Sequence, residues 1–169
     1  MPELIHGLAT LSRWEMLTDV HGLLSVLSLP LLGAAIALAI LLKKGAWAAR
    51  PLKKVLLWLA LDLALLDVLG LIVYAPYRAK DGPRSQLLAS DQTAWLHTIV
   101  FEHKEFLAYA PWLMILGVAL VVQALDYRLN GHHYRTYRKT VTFGIITACV
   151  YVFIVAAEAV LVTKAAPLK

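Results

Sequence analysis

Residues 20–42 read VHGLLSVLSLPLLGAAIALAILL, a run of twenty-three residues in which His21 is the only ionisable side chain. An α-helix rises about 1.5 Å per residue, so a run of this length reaches across the roughly 30 Å hydrocarbon core of a bilayer. Lipid offers no water to backbone N–H and C=O groups, so such a run closes its own hydrogen bonds as a helix. Three further runs repeat the pattern at 55–74, 106–125 and 141–162. They are continuous rather than alternating, which argues against a transmembrane β-barrel. The expected fold is an all-α integral membrane four-helix bundle in one domain, residues 1–169, with spans near 20–42, 55–74, 95–125 and 141–163.

Composition agrees. The 169 residues are 60% hydrophobic and 16% charged, with a mean hydropathy of +0.70, whereas soluble domains are about 45–50% apolar and about 25% charged. A soluble enzyme, a disordered chain and a disulfide-stapled secreted domain are thereby excluded. Cys149 is the single cysteine, so no intrachain disulfide and no CxxC redox pair can form. No G-x-S-x-G, H-E-x-x-H, P-loop or G-x-G-x-x-G motif occurs, and each of those chemistries depends on its spacing.

The net charge of +5 is placed in loops. Lys43, Lys44, Arg50, Lys53 and Lys54 separate the first two runs; Arg128, Arg135, Arg138 and Lys139 separate the last two. Basic loops beside spans are the positive-inside signature, whereas nucleic-acid binding needs a basic face on a soluble fold. Loops 43–54 and 126–140 are therefore expected in the cytoplasm. Both termini and the 75–94 loop are expected outside, most simply in a bacterial inner membrane. That outer loop carries Arg78, Lys80 and Arg84, partly offset by Asp81 and Asp91. Trp14, Tyr74, Tyr77 and Trp95 flank one interface, and Trp47, Tyr127, Tyr134 and Tyr137 the other. Expected partners are the lipid bilayer and other membrane or periplasmic subunits, or further copies of the chain.

Leu4, Leu8 and Leu11 recur at helical spacing beside Ile5 and Trp14, which predicts an amphipathic interfacial helix over 3–16. Glu3, Arg13, Glu15 and Asp19 interrupt this stretch, so it is not read as a cleavable signal. The third helix is expected to begin before its apolar part, after the N-cap candidates of Ser90-Asp91-Gln92-Thr93. The 75–89 stretch, with Pro76, Gly82 and Pro83, reads as an irregular loop. The runs of helices one and three also resemble one another: each has a histidine at its outer edge (His21, His103) and a proline just inside (Pro30, Pro111), followed by small residues, and each following helix carries a carboxylate, Asp67 or Glu158. This suggests two hairpins related by a pseudo-two-fold axis along the membrane normal. The prolines are expected to bend their helices. Gly33, Ala34, Ala35, Ala37, Gly117 and Ala119 are expected to permit close helix approach.

Ionisable side chains inside spans are costly and by default mark function. His21, Asp67, His103 and Glu158 come one from each helix and all fall in the outer leaflet; Asp62 lies nearer the middle. The first reading is b-type haem or quinone-linked electron transfer, with His21 and His103 as axial ligands from two parallel helices. It is placed first because both helices offer a histidine at the same depth. In helix count and histidine placement the pattern resembles small four-helix cytochrome b membrane subunits, although helices two and four carry no histidine.

The second reading is a transition-metal site of His21, His103, Asp67, Glu158 and Glu102. Glu102 and Glu105 share one face and His103 lies about 100° away, so that trio is not a ready-made ligand set. The third is a proton or cation pathway through Asp62, Asp67 and Glu158. The fourth is a scaffold or assembly factor without chemistry, in which Lys104 pairs with Asp67 or Glu158. Asp62 and Asp67, five residues apart, point about 140° from one another and cannot form an aspartyl dyad. His97, near the interface, and His6, His132 and His133 are expected to be solvated, and Asp62 is a candidate partner for the Trp58 ring N–H.

Overall fold

The computed structural model describes residues 12–166. It is all-helical, with α1 (Arg13–Leu41), α2 (Ala49–Tyr77), α3 (Pro83–Leu88), α4 (Asp91–Trp95), a π-helical turn (Leu96–Phe101), α5 (Glu102–Leu125) and α6 (Arg135–Ala165). Short 3₁₀ turns at Ala46–Ala48, Asp126–Asn130 and His132–Tyr134 join the long helices. α1, α2, the continuous α4–π–α5 rod and α6 are each long and apolar enough to cross a membrane.

The interfacial helix expected over 3–16 falls largely outside the described residues. Its last part does not stand apart: Trp14, Glu15 and Met16 belong to the first turn of α1. A capping box starts that helix. The Ser12 hydroxyl accepts from Glu15 N–H at 3.2 Å, and the Glu15 carboxylate accepts from Ser12 N–H at 2.7 Å. Two otherwise orphaned donors are thus satisfied. Ser12→Ala is expected to cost about 1 kcal/mol, seen as faster amide exchange confined to the first turn of α1. Ser90, among the N-cap candidates, accepts from Gln92 N–H at 3.3 Å and starts α4. The 75–89 stretch is more regular than its Pro and Gly content suggests: Tyr77 still ends α2, and Pro83 opens α3.

The four long helices form a ring: α1 packs on α2, α2 on α5, α5 on α6 and α6 on α1. One end of the ring carries the start of α1 and the end of α6; the other carries the basic connections. These are called the terminal end and the loop end. The main core fills the loop half, where Leu32, Ala35, Leu52, Leu56, Leu59, Ile115, Val122, Val141 and Ile145 are fully buried. A second, smaller core at the terminal end unites Tyr77, Leu87, Leu96, Phe101, Val162 and Ala166. Large apolar side chains such as Leu23, Leu57, Phe106 and Phe143 cover the outside, an exterior suited to lipid contact.

Close helix approach is achieved by different glycines from those expected. A Cβ at Gly33 or Gly117 would meet nothing within 4 Å, whereas one at Gly144 would lie 2.7 Å from Val118 Cγ2. Gly144 therefore sets the α5–α6 contact, while Ala35 and Ala39, both buried, serve α1. Both helices continue through Pro30 and Pro111. The two prolines have different surroundings, Pro30 being exposed and Pro111 buried. At the loop end Lys53 pairs with Asp126 at 2.9 Å, and Arg138 donates to the carbonyls of Leu129 and Gly131 at 2.6 and 2.9 Å. Those bonds fasten the 126–134 connection against α2 and α6.

Candidate functional site: a polar cavity between two cores

The gap between the two cores is a cavity of about 340 Å³ reached by all four long helices. Its walls are mostly apolar: Val26 and Leu29 from α1, Leu63 and Leu66 from α2, Pro111 from α5, Phe153 and Ala156 from α6. Its polar edge is made by His21, Asp67, Tyr74, Lys104 and Glu105. A second cavity of about 390 Å³ continues toward the terminal end, where Glu15, Asp19 and Thr163 line it. His21, Gly70, Tyr74, Phe101, Lys104 and Ala159 border both spaces. These residues form the neck of a passage running from the terminal end to about the middle of the bundle.

Each polar group at the neck has a definite environment. His21 packs on α2 where Gly70 has no side chain; a Cβ there would sit 3.7 Å from His21 Cε1. The imidazole interacts with the Leu66 backbone carbonyl, while Nδ1 is buried and has no hydrogen-bond partner among the described residues. Asp67 Oδ2 is likewise buried and unpartnered. Buried polar atoms usually have partners, and an exception calls for an explanation. Glu105 accepts from the Tyr74 hydroxyl at 3.3 Å, tying α2 to α5. Ser25 and Ser28 also line the cavity, but their hydroxyls close back on their own helix, onto His21 O and Ser25 O.

Lys104 is the residue whose role was least legible in the sequence. The scaffold reading pairs it with Asp67 or Glu158. It instead borders both cavities without a contact-distance carboxylate among the described residues, its Nζ 5.1 Å from the Phe101 ring centroid. Its charge interacts with Glu105, Glu158, Asp67 and His21. The clue available was a lysine at the start of a span, one position after His103.

His103 and Glu158 come together, but away from the passage. His103 Nδ1 lies 2.6 Å from Glu158 Oε1, the histidine side chain is 55% exposed and the glutamate 16%. Neither residue lines either cavity, and Glu158 Oε2 is buried without a partner among the described residues. Glu102 is exposed beside them. Among the described residues, no three His, Cys, Asp or Glu side chains are grouped closely enough to hold a metal ion. Asp62 is 5% exposed with neither oxygen partnered among the described residues, inside the bundle but outside the cavity lining. The partner suggested for it, Trp58, is 62% exposed.

His97 overturns the expectation that it is solvated. It is 4% exposed. Its Nδ1 is 3.0 Å from the Tyr77 hydroxyl, and its Nε2 accepts from Arg84 Nε at 3.1 Å. Tyr77 stacks on Phe101 with centroids 4.0 Å apart and planes within 7°, and Phe101 stacks on Tyr74 at 5.8 Å. Arg78 lies 4.3 Å above the Tyr74 ring. A continuous aromatic wall therefore leads from His97 to the neck of the passage. The π turn that carries His97 and Phe101 is a rare geometry that is frequent at functional sites.

Fold and site together define a polytopic helical membrane bundle with a polar passage entering from one end. The chain matches no known protein family, no curated protein and no solved structure.

Proposed function

We propose that the chain is a membrane subunit of quinone-linked electron transfer whose cavity receives the head group of a lipid-borne quinol. Supporting this reading is a mostly apolar chamber at membrane depth with two buried polar atoms, His21 Nδ1 and Asp67 Oδ2, that have no hydrogen-bond partner among the described residues. A quinol presents two hydroxyls, and these atoms are acceptors for them. Oxidation of a quinol to a quinone releases two protons and two electrons. Asp67 and His21 accept protons at the head group, and the second cavity, edged by Glu15 and Asp19, conducts them toward the terminal end. The two electrons would pass to a redox-active partner subunit. The terminal end faces outward in this reading, with the basic connections in the cytoplasm, as positive-inside placement favours.

The quinol reading is favoured over a haem held between His21 and His103, because His21 borders the cavity whereas His103 is turned to Glu158 on the exterior. It is favoured over the metal reading because the carboxylates and imidazoles are not grouped as ligands. The test is equilibrium binding of a decyl-tailed benzoquinone to the protein in nanodiscs. Saturable binding at one site per chain, weakened about tenfold or more in His21→Ala, is expected, since an unpaired buried polar contact is worth about 1–3 kcal/mol. Uptake no greater than that of empty nanodiscs overturns the proposal. A reduced-minus-oxidised haem band that disappears in both His21→Ala and His103→Ala replaces it with the haem reading.

A further inference from the structure

The hydrogen bonds of His97 fix its protonation state. Arg84 Nε–H is a donor with no acceptor capacity, so His97 Nε2, 3.1 Å away, holds a lone pair. The ring proton is then on Nδ1 and is donated to the Tyr77 oxygen at 3.0 Å. This arrangement exists only for neutral imidazole. When the ring takes a second proton, Nε2 becomes a donor facing a donor, and two cations stand at contact distance. The other charges acting on the ring are Arg78, from the end of α2, and Glu102 and Glu105 from α5. The two glutamates favour the imidazolium and Arg78 opposes it, but neither effect restores an acceptor for Arg84.

What Arg84 holds is the wall of the second cavity. It belongs to α3, whose first residue, Pro83, is buried and lines that cavity beside Tyr77 and Phe101. Arg84–His97 is a side-chain tie between α3 and the π turn; α3 is also held by its buried Pro83 and Leu87, by the Thr93 hydroxyl donating to Leu87 O at 2.8 Å, and by Ser85 and Gln86 bonding back to the preceding turn.

We propose that His97 is an acid-operated latch on the mouth of the passage: the neutral ring holds Arg84 and α3 against the mouth, and the protonated ring releases them. The latch controls access to the cavity and does not depend on which ligand the cavity takes.

The test uses the full chain in nanodiscs without ligand. A spin label is placed at exposed position 89 by Ala89→Cys in a Cys149→Ser background, and its mobility is followed from about pH 8 to about pH 5, where histidine titrates. The expected result is a rise in the mobile fraction as pH falls, with the docked-to-free ratio changing by up to roughly tenfold per pH unit, the limit for one proton. His97→Gln, which keeps an acceptor and cannot be protonated, is expected to stay docked throughout. Arg84→Leu is expected to be free throughout. Mobility independent of pH in the labelled parent overturns the latch, as does pH dependence that survives either substitution. Should His97→Gln fail to fold by circular dichroism, Arg84→Leu decides alone. The measurement involves no quinone, so its failure leaves the proposed function standing, and the reverse also holds.

Discussion

Asp67→Asn is expected to leave head-group binding within about threefold of wild type and to slow quinol oxidation in native membranes by about a hundredfold or more. The substitution preserves shape and keeps an oxygen acceptor at the cavity edge, but an amide cannot take a proton. A positioned general base contributes typically about 10²–10⁴ in rate, so the loss falls on turnover rather than on affinity. The comparison with His21→Ala, expected to act on affinity as well, separates the two roles. Steady-state kinetics with a decyl-tailed quinol, together with equilibrium binding of the quinone, checks both. An Asp67→Asn variant that loses binding and turnover in equal measure shows Asp67 to be a structural or ligand-anchoring group, not a base.

Gly82→Val is expected to produce the largest loss of stability of any single substitution considered. Gly82 sits in the turn between α2 and α3. A Cβ there would run into the Pro76 carbonyl oxygen and lie 2.7 Å from Tyr77 O and 3.1 Å from Ala79 O. Its own groups are committed: its N–H donates to Ala79 O at 2.9 Å, and its carbonyl accepts from the Ser85 hydroxyl at 2.8 Å. Side chains can rotate away from an intruding methyl group, but helix-terminal carbonyls cannot. Overpacking typically costs about 1–3 kcal/mol and occasionally more, and a loss of about 3 kcal/mol lowers the melting temperature of a chain this size by roughly 6–12 °C. Tryptophan-fluorescence melts in detergent measure it. Gly33→Ala, where a Cβ meets nothing within 4 Å, is the control and is expected to melt at or slightly above the parent temperature.

These expectations rest on parts of the molecule that were unequally legible. The long helices were plain, because in lipid an apolar run has no alternative to closing its own backbone bonds. The cap before α4 was legible to within the four residues Ser90-Asp91-Gln92-Thr93 for a local reason, since the bond Ser90 makes spans two residues. The candidate cluster was legible only as a list of types. His21 and Asp67 border one cavity and His103 and Glu158 form a separate exterior pair, yet all four share the same approximate depth in the sequence. Depth follows from counting residues. The direction a side chain faces follows from helix rotation, which neighbouring helices set.

His97 shows the same division more sharply. Its position beside an interface predicted solvation. It is buried because the chain returns over it: α3 folds back to bring Arg84, and the π turn presents the ring to Tyr77. The glycines repeat the lesson, for Gly33 and Gly144 are alike in sequence context but only Gly144 faces a neighbouring helix closely.

The sequence by itself determined that this chain makes four membrane-length helices and which polar residues interrupt their apolar runs, although each helix starts four to seven residues before the span expected for it. Hydropathy and helix capping are local energies, and the order of residues contains them. The tertiary structure alone decided that two cores leave a polar passage between them, that Lys104 and His21 stand at its neck, and that His103 does not. Those outcomes come from how four rods rotate and pack against one another, an energy shared among residues far apart in the chain.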